Sequence, residues 1–210
     1  MTDVRRDGAA EVLGVILAGG PSTRMGGDDK CLMPVGGTRL IEHVIRRLRP
    51  QVTALALNAN GDPARFAEFG LKVLPDGMAG QPGPLAGILA GLDWATARGA
   101  SAIVTVAGDT PFFPRDLVAR LRATAGPSGL ALAASPDPEG RVRRHPVFGL
   151  WPVALREDLR VALEGGLRKV VLWADAHGAG TALFESRPFD PFFNINTPAD
   201  LAAAEALGAA

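Results

Sequence analysis

VLGVILAGG, residues Val12 to Gly20, decides how the rest of the chain is read. A short aliphatic burst stopped by two adjacent glycines reads as a buried strand leaving into a loop, and such a strand belongs at the centre of a sheet. The eleven residues before it are polar and small, which predicts a loosely ordered N-terminal extension over 1–11 and a single domain over 12–210.

Downstream of Gly19 the pattern alternates. A loop to about Gly37 precedes a helix from Arg39 to Arg49, with Leu40, Val44, Ile45 and Leu48 at helical spacing and Pro50 ending it. VTALALN, ending at Asn58, is a second strand. A short helix near Ala64 to Phe69, a strand over Leu71 to Leu74, a helix from Leu85 to about Ala97 and the strand AIVTVA (Ala102 to Ala107) follow. Strand and helix in alternation imply a parallel sheet covered by helices. The second half is less regular: a helix near Arg115 to Thr124, a strand at Leu130 to Ala134, turn residues at Pro136 to Gly140, and a strand at Pro146 to Trp151. Helices over Val153 to Leu163 and Leu167 to Ala176, the strand TALFE and a closing helix from Pro198 to Leu207 complete it. Part of the sheet is expected to turn antiparallel here. The fold class is α/β: a three-layer α/β/α sandwich with a mostly parallel, partly mixed sheet, Rossmann-like in its layering.

Composition excludes several classes of function. Lys plus Arg and Asp plus Glu both count 22, so no global positive field exists to capture nucleic acid or an anionic membrane. The apolar runs are far shorter than the roughly 20 residues of a membrane span. Cys31 is the single cysteine, no stretch reads as a signal peptide, and the expected location is the cytoplasm.

In an open parallel sheet, ligands bind beyond the carboxyl ends of the strands. Four strand ends carry chemistry: Leu17-Ala18-Gly19-Gly20, Asn58, Pro75-Asp76 and Gly108-Asp109. The richest is LAGGPSTRMGGDDK, Leu17 to Lys30. Its glycines let backbone N–H groups approach phosphate, Arg24 can fork onto phosphate oxygens, and Lys30 adds a point charge. The dinucleotide fingerprint fails on glycine spacing, and the P-loop fails because Asp29 and Cys31 flank Lys30. Hydride transfer and P-loop ATP hydrolysis are therefore disfavoured.

This loop resembles the signature loop of the molybdenum cofactor guanylyltransferases, and more broadly that of nucleotidyltransferases with the glycosyltransferase A type (nucleotide-diphospho-sugar transferase-like) fold. Gly20 in LAGG is similar to the guanylyl branch, where the cytidylyl branch shows LAAG. GPLAGI (Gly83 to Ile88), AGDTPFFP (Ala107 to Pro114) and FFNINTPADL (Phe192 to Leu201) resemble further family segments in the same order. The resemblance implies that Leu17, Ala18, Gly19 and Gly20 line the guanine nucleotide, with Lys30 on its phosphates and Asn58 and Asp76 at the base or ribose. It implies Mg²⁺ on Asp109, with Arg24, Lys30 and Asp109 as the catalytic set, and Asn194 and Asn196 on the molybdopterin acceptor. The implied reaction joins GMP from GTP to molybdopterin and releases pyrophosphate. Transient contacts with proteins that deliver molybdopterin or receive the product are also implied. A cytidylyl or sugar-phosphate transferase, and a nucleotide-binding pterin carrier, are the alternatives.

Plainer readings stand beside these. Asp109 and Asp76 suit turns, and Asn58 suits a strand end. His43 reads as a surface residue. His145, beside Arg143 and Arg144, reads either as charge for an incoming phosphate or as an exposed strand edge. His177 sits at a helix end, where the dipole suffices. Cys31 reads as a small apolar residue, and Trp94, Trp151 and Trp173 as packing residues.

Overall fold

The computed structural model describes residues 11–18, 30–35, 37–77, 83–187 and 189–206. In chain order the elements are β1 (Val12–Leu17), β2 (Pro34–Val35), β3 (Thr38–Arg39), α1 (Leu40–Leu48), β4 (Leu55–Asn58), β5 (Lys72–Leu74), α2 (Pro84–Ala97) and β6 (Ala102–Ala107). Then follow α3 (Leu117–Ala123), β7 (Ala131–Pro136), β8 (Val142–Pro152), α4 (Arg156–Glu164), α5 (Val170–Ala176), β9 (Gly180–Leu183) and α6 (Pro198–Ala206). The main sheet has seven strands in the order β5-β4-β1-β6-β8-β7-β9. β5, β4, β1 and β6 are parallel, β8 is antiparallel to both of its neighbours, and β9 is parallel to β7. The first strand is central and the second half mixed, as the sequence implies.

Period-two alternation in the strands builds two cores. Val12 and Ile16 of β1 pack with Ile41, Val44 and Leu48 of α1 and with Leu117 and Leu121 of α3 on one face. Leu13 and Val15 pack with Leu85, Ile88 and Leu92 of α2, Leu159 of α4 and Trp173 of α5 on the other. Each face of the sheet is thus covered by helices that bury one apolar stripe, which gives the three layers. This is the three-layer α/β/α sandwich with a mostly parallel, partly mixed sheet that the sequence implies.

Two local features set the site. Helix α2 starts at Pro84, whose fixed φ suits a first helical position, after Gly83 at φ +73°. It lies so close to the sheet that a Cβ on Gly87 would stand 2.1 Å from Asn58 Oδ1, and one on Gly91 2.7 Å from Ile103 Cδ1. Strand β8 carries a bulge: Leu132 faces Gly149 but Ala133 faces His145, so residues 146–148 are extra on β8. Pro146 lies among them and has no N–H to give the ladder. The bulge leaves the Val147 carbonyl to accept from Thr105 Oγ1 at 2.7 Å, and Thr105 accepts in turn from Trp151 Nε1 at 2.8 Å.

Several expectations are corrected. The region of Ala64 to Phe69 is a 3₁₀ helix over Pro63–Phe69, started by Asp62, which accepts from the Ala64 N–H at 2.9 Å. The second strand is confined to Leu55–Asn58, because a 3₁₀ turn at Arg49–Gln51 extends α1. The loop before α1 holds a 3₁₀ turn at Lys30–Leu32 and the small β2-β3 hairpin. The fourth helix begins at Arg156 and the fifth at Val170. His43 is buried rather than on the surface: its Nε2 lies 2.7 Å from Thr38 Oγ1 and 3.0 Å from the Val35 carbonyl, bracing the hairpin. Trp94, Trp151 and Trp173 are buried, as the packing reading expects.

Candidate active site

A crevice of about 250 Å³ opens at the carboxyl ends of β1, β4, β5 and β6. The parallel half of the sheet brings these ends to one edge, so residues far apart in sequence share it. Leu17, Ala18, Lys30, Asn58, Asp76, Asp109 and Asn194 all line it. Gly19, Gly20 and Arg24 lie outside the described residues, as do residues 1–10 of the extension expected over 1–11.

At the centre, Lys30 Nζ lies 2.5 Å from Asp109 Oδ2 and 2.5 Å from Asn196 Oδ1. Three predicted residues from three parts of the chain thus meet at one ammonium group. Lys30 opens the 3₁₀ turn after the glycine loop, and Asp109 follows β6. Asn196 belongs to the closing segment, which the Asp109 carbonyl anchors by accepting from the Ile195 N–H at 2.9 Å. Beneath that segment Val35, Leu40, Phe112 and Ile195 form a small apolar cluster. Thr110 Oγ1 lies 2.5 Å from Asn194 Oδ1 and 3.2 Å from Asp109 Oδ1, so its single proton serves one of them at a time.

On the β4-β5 side, Asn58 Nδ2 donates to the Leu74 carbonyl (3.0 Å) and to Asp76 Oδ1 (2.9 Å). Asn60 closes the network: its Nδ2 donates to Asp76 Oδ2 at 2.8 Å, and its Oδ1 accepts from the Asp76 N–H at 2.8 Å. Asp76 is therefore clamped in place with both oxygens at the crevice rim, and Asn58 is buried. The strand-end reading of Asn58 holds, since its side chain ties the ends of β4 and β5 together. Asn60 is a residue that sequence reasoning missed. It lies two positions beyond the strand end, and only the folded register shows that it meets Asp76.

The description "MobA-like NTP transferase domain" matches residues 14–178. A molybdenum cofactor guanylyltransferase of Bradyrhizobium is 53% identical over 203 residues, covering 94% of this chain and 93% of the relative. The chain belongs to the molybdenum cofactor guanylyltransferases. A second member, from Nitrobacter hamburgensis, is 49% identical and covers 93% of this chain and 94% of its own. The crystal structure of molybdopterin-guanine dinucleotide biosynthesis protein A from Archaeoglobus fulgidus shares the fold, with a TM-score of 0.68, 24% identity, and coverage of 94% of this chain and 98% of that one. The nucleotidyltransferase reading of the glycine loop is thereby borne out at the level of family.

Other members of the crevice in this guanylyltransferase carried little sequence signal. Val147, which lines it, is an ordinary aliphatic residue brought there by the β8 bulge. Cys31, which is buried, also lines it. Gly108 sits where a Cβ would stand 3.4 Å from both the Ala18 Cα and the Leu17 carbonyl, so the β1 and β6 exits pack backbone to backbone.

His145 answers neither of the two readings offered for it. β8 lies inside the sheet, between β6 and β7, and the imidazole is buried, its Nε2 2.7 Å from Ser135 Oγ and its ring stacked 4.2 Å from that of Phe192. Burial pushes its pKa down to about 4, against an opposing pull from Asp190 and with a smaller push from Arg143. A neutral imidazole offers no charge to a phosphate. Arg144 is turned away as well, paired with Asp175. His177 caps α5 as expected, with Nδ1 2.8 Å from the Trp173 carbonyl, and its Nε2 also meets Asp158 at 2.9 Å.

Among the described residues no helix is long and apolar enough to cross a membrane.

Proposed function

We propose that this chain transfers GMP from GTP to the terminal phosphate of molybdopterin in the cytoplasm, forming the guanine dinucleotide cofactor and releasing pyrophosphate. The observation that carries the reading is the convergence of Lys30, Asp109 and Asn196 at one point of a crevice in a guanylyltransferase fold.

An acceptor phosphate oxygen attacks the α-phosphorus. A new P–O bond forms, the bond to the bridging oxygen breaks, and its electron pair leaves with pyrophosphate. Both reactants are polyanions, so the chain's task is to hold them in line and to offset charge on the leaving oxygen. Lys30 donates to phosphate oxygens once substrate displaces its present partners. Asn58 and Asp76 hold the nucleoside on the β4-β5 side, and Leu17 and Ala18, continuing into Gly19 and Gly20, supply backbone around it. Arg24 adds a guanidinium to the phosphates. Asn194 and Asn196 face the acceptor.

Asp109 fits Mg²⁺. Its carboxylate already binds a cation, the Lys30 ammonium, and a hard ion of this size needs one or two carboxylates together with substrate phosphates. Phosphate oxygens of the substrate and water would complete its shell. When bound, the ion neutralises charge on the triphosphate.

The test is to incubate the protein with Mg²⁺, molybdopterin and each of GTP, CTP and ATP, following pyrophosphate and dinucleotide together. Selective use of GTP is expected. Selective use of CTP would move the chain to cytidylyl transfer, and tight nucleotide binding without turnover would make it a carrier.

A further inference from the structure

Thr110 is fully buried beside the crevice. Among the described residues its hydroxyl meets two groups, and both belong to the candidate site: Asn194 Oδ1 at 2.5 Å and Asp109 Oδ1 at 3.2 Å. A hydroxyl withdrawn from water costs free energy unless it is bonded, so these contacts are what favour threonine here over a valine of the same shape. Thr105, buried to the same degree, differs: it joins the Val147 carbonyl to Trp151 inside the sheet, which is a packing role.

The direction of the shorter bond is fixed by chemistry. Two oxygens approach to 2.5 Å with a proton between them, and an amide oxygen has none to give, so the Thr110 hydroxyl donates and Asn194 Oδ1 accepts. The amide is planar, and with Oδ1 turned to Thr110 its Nδ2 is turned the other way. That NH₂ group has no hydrogen-bond partner among the described residues, and Asn194 is an exposed residue lining the crevice. The closing segment itself is docked by other contacts: the Ile195 N–H donates to the Asp109 carbonyl at 2.9 Å, and Ile195 packs with Val35, Leu40 and Phe112. What the hydroxyl adds is the choice of which end of the Asn194 amide faces a ligand.

We propose that Thr110 is a positioning residue for the transfer, holding the Asn194 amide with its NH₂ group towards the phosphate of the acceptor. The inference rests on the reading of Asn194 as a group that faces the acceptor. A phosphate presents acceptor oxygens and negative charge, so it attracts the NH₂ end of an amide and repels the oxygen end. The two ends are close in size, and packing alone does not choose between them. Asp109 is the reason that a choice is needed. Its Oδ1 lies within reach of the same hydroxyl. Without that hydroxyl the carboxylate draws the NH₂ group to itself, and the amide oxygen is left to meet the phosphate. Thr110 thus keeps the carboxylate of the site from taking the donor that the acceptor needs.

Thr110→Val removes the donor and keeps the shape, whereas Thr110→Ser keeps the donor. Dinucleotide formation is measured against molybdopterin and GTP separately in the wild type, in both Thr110 variants, in Asn194→Ala and in T110V/N194A. The expected result is a KM for molybdopterin raised about tenfold in T110V and in N194A, with the KM for GTP unchanged. T110S should stay close to the wild type, and the double variant should be no worse than N194A, because the two residues act through one bond. Equilibrium titration with molybdopterin in the absence of nucleotide should rank the proteins in the same order. A wild-type KM for molybdopterin in T110V, a serine variant as impaired as the valine one, or effects that add in the double variant overturns the proposal. If N194A itself keeps the wild-type KM, Asn194 leaves the acceptor site and the proposal falls with it, which separates that failure from one of Thr110 alone. A wild type that forms no dinucleotide defeats the substrate reading, and the titration then decides.

Discussion

Lys30 Nζ and Asp109 Oδ2 lie 2.5 Å apart although 79 positions separate them in the chain. The pair joins the 3₁₀ turn at Lys30–Leu32 to the end of β6, and both groups are sheltered enough for the contact to organise the crevice. It also holds a cation against the carboxylate at the point where the proposed reaction puts the phosphates.

Loss of this ammonium is expected to be costly in rate. Lys30→Ala should lower kcat with GTP by about 10² to 10³, the usual cost of removing one preorganised donor from a developing anion. Steady-state kinetics at saturating Mg²⁺ checks this. A variant within threefold of the wild type would leave Lys30 with no part in the transfer.

For Asp109 the expected signature lies in the metal dependence. Asp109→Asn keeps the shape and removes the charge, so turnover at millimolar Mg²⁺ should collapse while the fold is retained. A titration of rate against Mg²⁺ decides the matter: a curve that superimposes on the wild type's would take the metal away from Asp109.

Gly87 and Gly91 offer a matched pair. Gly87→Ala drives a methyl into Asn58 Oδ1, whereas Gly91→Ala drives one into Ile103 and Val15 in the core. Both should destabilise by about 1–3 kcal/mol through overpacking. Gly87→Ala alone should also raise the KM for GTP, since Asn58 anchors Asp76. Melting curves with kinetics separate the two effects, and a nucleotide KM unchanged by Gly87→Ala would count against Asn58 as a binding group.

His145 predicts a pH effect on stability. Its folded pKa of about 4 lies below the ordinary value of 6.5, so the unfolded chain takes up the proton first. Stability should be fully present above about pH 6.5 and fall by on the order of 2–3 kcal/mol as pH drops towards 4, with no further loss from this group below that. Asp190 and Arg143 are the charged groups that face it. Denaturant unfolding of the wild type and of His145→Asn across this range gives the difference. Parallel curves for the two proteins would mean that His145 is not the group responsible.

The parallel half of the fold was legible because its information is local. Each strand is an unbroken aliphatic run, each exit is marked by glycine, Asn or Asp, and parallel strands joined by helices deliver their carboxyl ends to one edge whatever the exact register. Lys30, Asn58, Asp76 and Asp109 could therefore be assigned to a common crevice before any contact was known. The antiparallel half resisted, since its pairing joins distant segments and its bulge depends on how Pro146 meets β7. His145 was misjudged for that reason: nothing in RRHPVF says which of its strand's faces is covered.

The order of the elements, the chemical character of the loop from Leu17 to Lys30, and the residue types of the crevice were determined by the sequence alone, because hydrophobic period and turn chemistry act within a few residues. Only the tertiary structure decided that Lys30 meets Asp109 and Asn196, that Asn60 clamps Asp76, that Val147 enters the crevice, and that Thr110 meets Asn194. Those contacts depend on strand register and on packing between segments far apart in the chain, which no local pattern encodes.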